Sequence, residues 1–234
     1  MGRTAIIGDV HGCTSELEEL LEQIRFSEGS DRLIFVGDLV TRGPDSRGTL
    51  ALVRRLGARA VRGNHEEKLL SARHRPKSLS ADHERLARAL SEDEWRLLEA
   101  MPLWLDLPEH GIRVVHAGVV PGAAPKRTPA EALLKIRTVD SRNRWSDEPD
   151  AGPLWGSRYD GPPHVVFGHN AGAEPQFHAW ATGIDTGCVY GGRLTAVVLA
   201  DGEPMPRGAS ARGVLRSVRA RRRYSQGRAS APVP

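Results

Sequence analysis

In Thr4-Ala5-Ile6-Ile7-Gly8-Asp9-Val10-His11-Gly12 a short apolar run over residues 4–8 ends in Gly-Asp. The same figure returns in Arg32-Leu33-Ile34-Phe35-Val36-Gly37-Asp38. A third run, Ala58 to Val61, passes into Arg62-Gly63-Asn64-His65. Short continuous apolar runs bounded by turn signals suit strands buried on both faces. Between the first two lies a helical pattern, with Leu17, Leu20, Leu21 and Ile24 behind a capping-box pair, Ser15 and Glu18. Leu50, Val53 and Leu56 mark a second helix, stopped by Gly57. Another helix follows Asn64. Strand, loop and helix repeated three times imply a largely parallel sheet flanked by helices.

The second half has a different rhythm. Ser78 to Met101 reads as helical, with Leu86, Leu90, Trp95, Leu98 and Met101 facing inward. Ile112 to His116 and His164 to His169 read as strands, with two more at about 180–184 and 193–199. Successive strands without long helices suggest the antiparallel part of a second sheet. Residues 120–160, rich in Pro, Gly and charge, read as loops over one mouth. The fold class expected is therefore α/β (α+β mixed), two mixed β-sheets packed as a sandwich with helices outside.

At 234 residues the chain suits one core. No window approaches the roughly 18 unbroken apolar residues of a membrane span. Asp9 comes too early for a signal peptide. With only two cysteines, Cys13 and Cys188, the expectation is a cytoplasmic protein with reduced thiols. Eight of the 33 basic residues are arginines from Arg207 onward, where no acidic residue occurs. The body thus holds 25 basic residues against 29 acidic ones, and the formal net charge of +4 belongs to the tail. Residues 1–206 are read as a catalytic domain and 207–234 as a basic, flexible arm. The arm could meet nucleic acid or an anionic surface, but a solvated tail is the favoured reading.

Strand after strand ends in a metal-binding residue: Asp9 and His11, then Asp38, then Asn64 and His65, then His116, then His169. Ligands of open α/β sheets gather at the carboxyl ends of strands. Mixed oxygen and imidazole donors suit Mn, Fe, Zn or Co better than Ca or Mg. Two such ions sharing a carboxylate, ~3.5–4 Å apart, would clamp an in-line displacement.

Gly8-Asp9-Val10-His11-Gly12, Gly37-Asp38 through Arg42-Gly43-Pro44-Asp45-Ser46, and Arg62-Gly63-Asn64-His65-Glu66 resemble the three-block signature of the calcineurin-like metallophosphoesterases. His116-Ala117-Gly118, Gly168-His169 and Asp185-Thr186-Gly187-Cys188 agree, and the stretch from Tyr190 to Thr195 is similar to the bacterial symmetrical dinucleoside tetraphosphatases within the phosphoprotein-phosphatase branch. The resemblance spans about residues 4–200. It implies a first metal held by Asp9, His11 and Asp38, with Asp38 bridging to a second completed by Asn64, His116 and His169; manganese is the expected ion. It further implies attack of a metal-bridging hydroxide on phosphorus, His65 as imidazolium proton donor, and Arg42 with Arg137 as the phosphate clamp. Arg142, Arg144 and Arg158 compete with Arg137 for that part.

Two departures bear on substrate. Where the protein phosphatases carry a second Asp that holds the catalytic histidine, this chain has Thr41, which supplies no negative charge. A weaker proton donor suits a phosphoanhydride with its good leaving group, hence diadenosine tetraphosphate cleaved to two nucleoside diphosphates. Glu66, by contrast, is the protein-phosphatase residue, so a Ser/Thr or Tyr phosphoprotein phosphatase is the alternative. A basic-tailed nucleic-acid-binding module with a vestigial site is an alternative of another class. Trp104, Trp145 and Trp155 could stack a base, although packing is the commoner role of such residues. The two cysteines flank site motifs without a histidine base of their own, so packing or redox sensitivity suits them better than nucleophilic attack.

Overall fold

The computed structural model describes residues 2–75, 78–123 and 127–226. Its first half runs β1 (Arg3–Ile7), α1 (Thr14–Gln23), β2 (Arg32–Phe35), α2 (Ser46–Arg55), β3 (Arg59–Ala60), α3 (Asn64–His74), α4 (Ala81–Ala89) and α5 (Glu92–Glu99). Then come β4 (Trp104–Leu107), β5 (Ile112–Val115), α6 (Ala130–Lys135), β6 (Thr138–Val139), β7 (Trp145–Ser146), β8 (His164–Phe167), β9 (Gln176–Phe177), β10 (Ala181–Gly183), β11 (Arg193–Ala200) and β12 (Leu215–Arg219).

Two five-stranded mixed sheets form the sandwich, in the orders β12-β11-β1-β2-β3 and β4-β5-β8-β10-β9. Alternation along each strand decides what each sheet face covers. In β1, Ala5 and Ile7 join the helix-side core while Ile6 enters the layer between the sheets. Leu33 and Phe35 of β2 do the former and Ile34 the latter. That inner layer is completed by Leu105, Ile112, Val114 and Val166 from the other sheet. A third cluster around Trp155, Val165, Phe167 and α6 covers the far face.

Parallel pairing sets the level of the strand ends. Ile7 lies beside Phe35, and Val114 beside Val166. The segments that follow β1, β2, β5, β8 and β10 therefore leave on one rim. Gly37 makes the exit from β2 with φ +97°, a backbone conformation other residues adopt only under strain. At Gly168 the space for a side chain is already taken by the Asp9 carboxylate.

Several expectations need correction. The helix after β1 starts at Thr14 behind Cys13, which makes no side-chain cap, and the expected Ser15–Glu18 capping box does not form; the Thr14 hydroxyl is bonded to Asp45 O and Thr49 Oγ1. The 78–101 segment is two helices, since Ser91 and Glu94 form a capping box that starts α5 afresh. The second sheet is parallel at its centre, β5-β8-β10, with antiparallel strands only at its edges. The strand at 193–199 belongs to the first sheet, antiparallel to β1, where it covers an edge that a purely parallel sheet would leave open. The loop region 120–160 contains α6 and the β6-β7 hairpin; its residues 124–126 lie outside those described.

The basic arm also differs from its expectation. Residues 208–214 form 3-10 turns and β12 pairs with β11, placing Val218 in the core. Beyond it the Arg221 N–H and the Tyr224 hydroxyl both donate to Glu16 Oε1, at 2.9 and 2.7 Å. Apolar residues at 211, 215 and 218 and backbone pairing hold this stretch despite its charge. The expected tail residues 227–234 lie outside those described. No helix among the described residues is long and apolar enough to cross a membrane.

Candidate metal centre

Asp38 sits in the middle of the rim. Its Oδ2 is 3.4 Å from His11 Nε2 and 4.0 Å from His65 Nε2, and its Oδ1 is 3.6 Å from His116 Nε2. Two clusters of donor atoms share it, His11–Asp38–His65 and Asp38–His116–His169, each within 4.8 Å. Asn64 joins the second, its Oδ1 lying 2.9 Å from both His116 Nε2 and His169 Nδ1. Asp9 meets the same cluster from β1 and accepts the His169 N–H at 3.1 Å.

The protonation states decide what such a cluster can hold. His11 Nδ1 lies 3.1 Å from Val40 O, and His116 Nδ1 lies 2.9 Å from Val36 O. A carbonyl can only accept, so each Nδ1 carries the proton and each Nε2 a lone pair. His169 is likewise bonded to the Lys135 backbone. Burial holds His11 down to about 3 and His116 to about 4, so both rings are neutral at pH 7. Burial pushes Asp38 up to about 7 and raises Asp9 and Asp185, Asp9 further through the charges of Asp185 and Asp38. Imidazole lone pairs and carboxyl oxygens thus converge, and burial favours a proton on the carboxyls unless a cation displaces it. Divalent cations fit that arrangement, and the three imidazoles are fixed by their second nitrogens as ligating histidines usually are.

Local backbone is bent to achieve this. His11, Asp38, Thr41, Arg42 and His169 all have φ between 49° and 68°, left-handed values rare outside glycine. Glu66, fully buried at the start of α3, holds the turn after β2 in place. Its carboxylate accepts N–H groups from Asp38, Leu39, Val40 and Gly63 at 2.8 to 3.3 Å. The resemblance made Glu66 a family marker; its four backbone contacts make it a clamp on the loop after β2.

His65 departs from its expected state. The Thr41 hydroxyl donates to Val40 O at 2.6 Å, and so accepts from His65 Nδ1. The ring then presents Nε2 toward Asp38. Burial, then His11 and Arg42, pushes His65 well below its ordinary value, so it rests neutral rather than as the expected imidazolium. His83 stacks on it, ring centroids 5.0 Å apart. Sequence periodicity gave no sign of His83, which arrives from α4.

Among the arginines, Arg42 lies 3.3 Å from His11 Nε2 and donates to the Tyr190 hydroxyl. Arg137 is drawn inward, donating to Asn170 Oδ1 at 3.0 Å, with Asp185, Tyr190 and Asp9 as charged or polar neighbours. Arg144 instead folds its guanidinium onto Asp140 at the surface, Arg142 reaches Asp140 only through its backbone N–H, and Arg142 and Arg158 are exposed. Trp155 is buried with its indole N–H on Ala117 O, a packing residue; Trp104 and Trp145 pack against the same cluster. Cys13 and Cys188 are buried and free, and their mutual hydrogen bond together with burial pushes the Cys188 thiol up, the state of an inert group.

A family model described as calcineurin-like phosphoesterase matches residues 2–201. The chain belongs to the calcineurin-like phosphoesterases. As such it is a hydrolase, which sets aside a vestigial binding module as the account of this site. Its relatives divide by substrate. The chain is 33% identical to a symmetrical bis(5'-nucleosyl)-tetraphosphatase of Chromohalobacter salexigens, over 86% of this chain and 96% of that one. It is 36% identical to serine/threonine-protein phosphatase 1 of Salmonella typhimurium, over 81% and 88%. A crystal structure assigned provisionally as a diadenosine tetraphosphatase superposes with a TM-score of 0.82 at 37% identity, covering 94% of each chain. Calcineurin-like phosphoesterases use divalent metals, in keeping with the convergent donors of this rim.

Proposed function

We propose that the protein cleaves dinucleoside polyphosphates, diadenosine tetraphosphate to two nucleoside diphosphates, at a dinuclear metal centre. Asp9, His11 and Asp38 would hold one ion, and Asp38, Asn64, His116 and His169 the other, with manganese favoured among Mn, Fe, Zn and Co by the mixed donor set. Bound cations would supply Lewis acidity toward the phosphoryl oxygens and a water of lowered pKa. Arg42 and Arg137 meet the charge growing on the equatorial oxygens, their guanidinium forks matching phosphoryl geometry. Asp38 shares its two oxygens between the clusters and fixes their spacing. His65 Nε2, aimed into the rim, takes up a proton once phosphate charge enters and delivers it to the departing oxygen.

One observation carries the choice of substrate: the group against His65 Nδ1 is the Thr41 hydroxyl and not a carboxylate. With no adjacent anion the imidazolium is poorly stabilised, and a leaving group that needs little protonation is favoured. A nucleoside diphosphate meets that condition; a serine alkoxide does not. The second reading, a phosphoprotein phosphatase, is favoured by Glu66 and by the likeness to the Salmonella phosphatase. At equal enzyme in saturating manganese, diadenosine tetraphosphate should be turned over to ADP alone and a phosphopeptide much more slowly. Turnover of the phosphopeptide alone would overturn the first reading, and products of ATP with AMP would overturn symmetric cleavage.

A further inference from the structure

Two clefts adjoin the metal-ligand rim, of about 580 and 740 Å³, within the range of small-molecule sites. The smaller opens at Asn64 and His65, and the two share Arg42, Asp82 and Arg85. The larger leads away past Pro44 and Arg47 to Arg222, Arg223 and Tyr224. The combined lining is basic: Arg42, Arg47, Lys68, Arg85, Arg222 and Arg223 face two acidic groups, although Arg47 is paired outside the cleft with Glu94 at 2.9 Å. Both acids are engaged. Asp45 caps α2 through the Gly48 N–H at 2.8 Å, and Asp82 accepts from the Arg42 N–H and from Arg85.

The far wall comes from the segment after β12, downstream of the part that the family model matches. It is held from both sides. Arg221 and Tyr224 are tied to Glu16, and the Tyr224 and Ser225 N–H groups both reach Val189 O at 3.0 Å. Val189 lies one residue before Tyr190, whose hydroxyl meets Arg42. The anchors therefore set Arg222 and Arg223 in register with the phosphate-clamping arginine. Arg222 is also ordered, its guanidinium 5.2 Å from the Tyr224 ring centre. Such a channel suits a chain of several phosphates, since each charge-assisted contact is stronger than a neutral one.

We propose that this cleft is a subsite for the distal phosphates of a nucleoside polyphosphate, the half that departs, with Arg222 and Arg223 as its outer walls. The assignment rests on the polyphosphate reading of the active site. The test is the double variants Arg222→Ala/Arg223→Ala and Arg222→Glu/Arg223→Glu. Kinetics are measured with diadenosine tetraphosphate and with p-nitrophenyl phosphate, alongside inhibition by inorganic tripolyphosphate and by orthophosphate. The ratio of kcat/KM values, tetraphosphate over p-nitrophenyl phosphate, should fall at least tenfold, more for the glutamates. The tripolyphosphate inhibition constant should rise by a similar factor relative to that of orthophosphate. An unchanged ratio, with both inhibitors moving together, overturns the subsite. If the wild type does not cleave diadenosine tetraphosphate, the substrate reading fails by itself, and the tripolyphosphate-to-orthophosphate comparison still decides whether the subsite exists.

Discussion

Replacing Glu66 by Gln takes a carboxylate oxygen from a point where four backbone N–H groups converge. Oε2 receives those of Asp38 and Gly63, and Oε1 those of Leu39 and Val40. The amide can turn its oxygen to one pair only; its NH2 then faces two donors. At pH 8, above the value of about 7 to which burial and the Asp38 charge push it, Glu66 is ionised. Losing two hydrogen bonds to a charged acceptor, at ~1.5–3 kcal/mol each, costs about 3–6 kcal/mol. At ~2–4 °C per kcal/mol for a chain of this size, the Tm should drop by roughly 6–24 °C. Metal binding should suffer further, because the turn that Glu66 clamps carries Asp38. Calorimetry of wild type, Glu66→Gln and Glu66→Asp at pH 8, with and without manganese, measures both effects. The Asp variant, one methylene shorter, should reach one pair and fall between the others. A Glu66→Gln protein that melts within ~2 °C of wild type and keeps full manganese content would refute the clamp.

Thr41→Asp places a carboxylate against His65 Nδ1, which favours the imidazolium, so the alkaline limb of the pH–rate profile should move to higher pH and phosphomonoesters should gain on anhydrides; a limb that stays or moves down contradicts the Thr41 argument. Manganese binding should strengthen as pH rises and level off above about 7, because His11 and His116 are already neutral above pH 5 while Asp38 must still lose its proton. Calorimetry in buffers of differing ionisation enthalpy at pH 6 should accordingly show proton release, and its absence would remove Asp38 from the ligand set. Arg137→Ala should lower kcat/KM by ~10²-fold or more, as loss of one transition-state donor does. Arg144→Ala should leave kcat/KM within twofold, and the reverse order would exchange their roles.

The parts legible from sequence alone share one property: they are local. An apolar run closing on Gly-Asp marks a buried strand and the residue at its exit together, so Asp9 and Asp38 could be placed at strand ends before any coordinates, and Asn64, His116 and His169 follow apolar runs of their own. The helices α1 and α2 announce themselves by their spacing, whereas the break between α4 and α5 does not. What escaped was settled by partners far away in the chain. Nothing within Arg137 distinguishes it from Arg144; it is Asn170, 33 residues on, that draws one inward, while Asp140 keeps the other out. Residues 215–224 looked like a solvated arm because charge dominates their composition, yet β11 offers an unpaired edge and Glu16 an acceptor 205 residues earlier. Backbone hydrogen bonding and burial act through space and are blind to sequence separation, so the strand ends belong to the sequence and the walls around them to the tertiary fold.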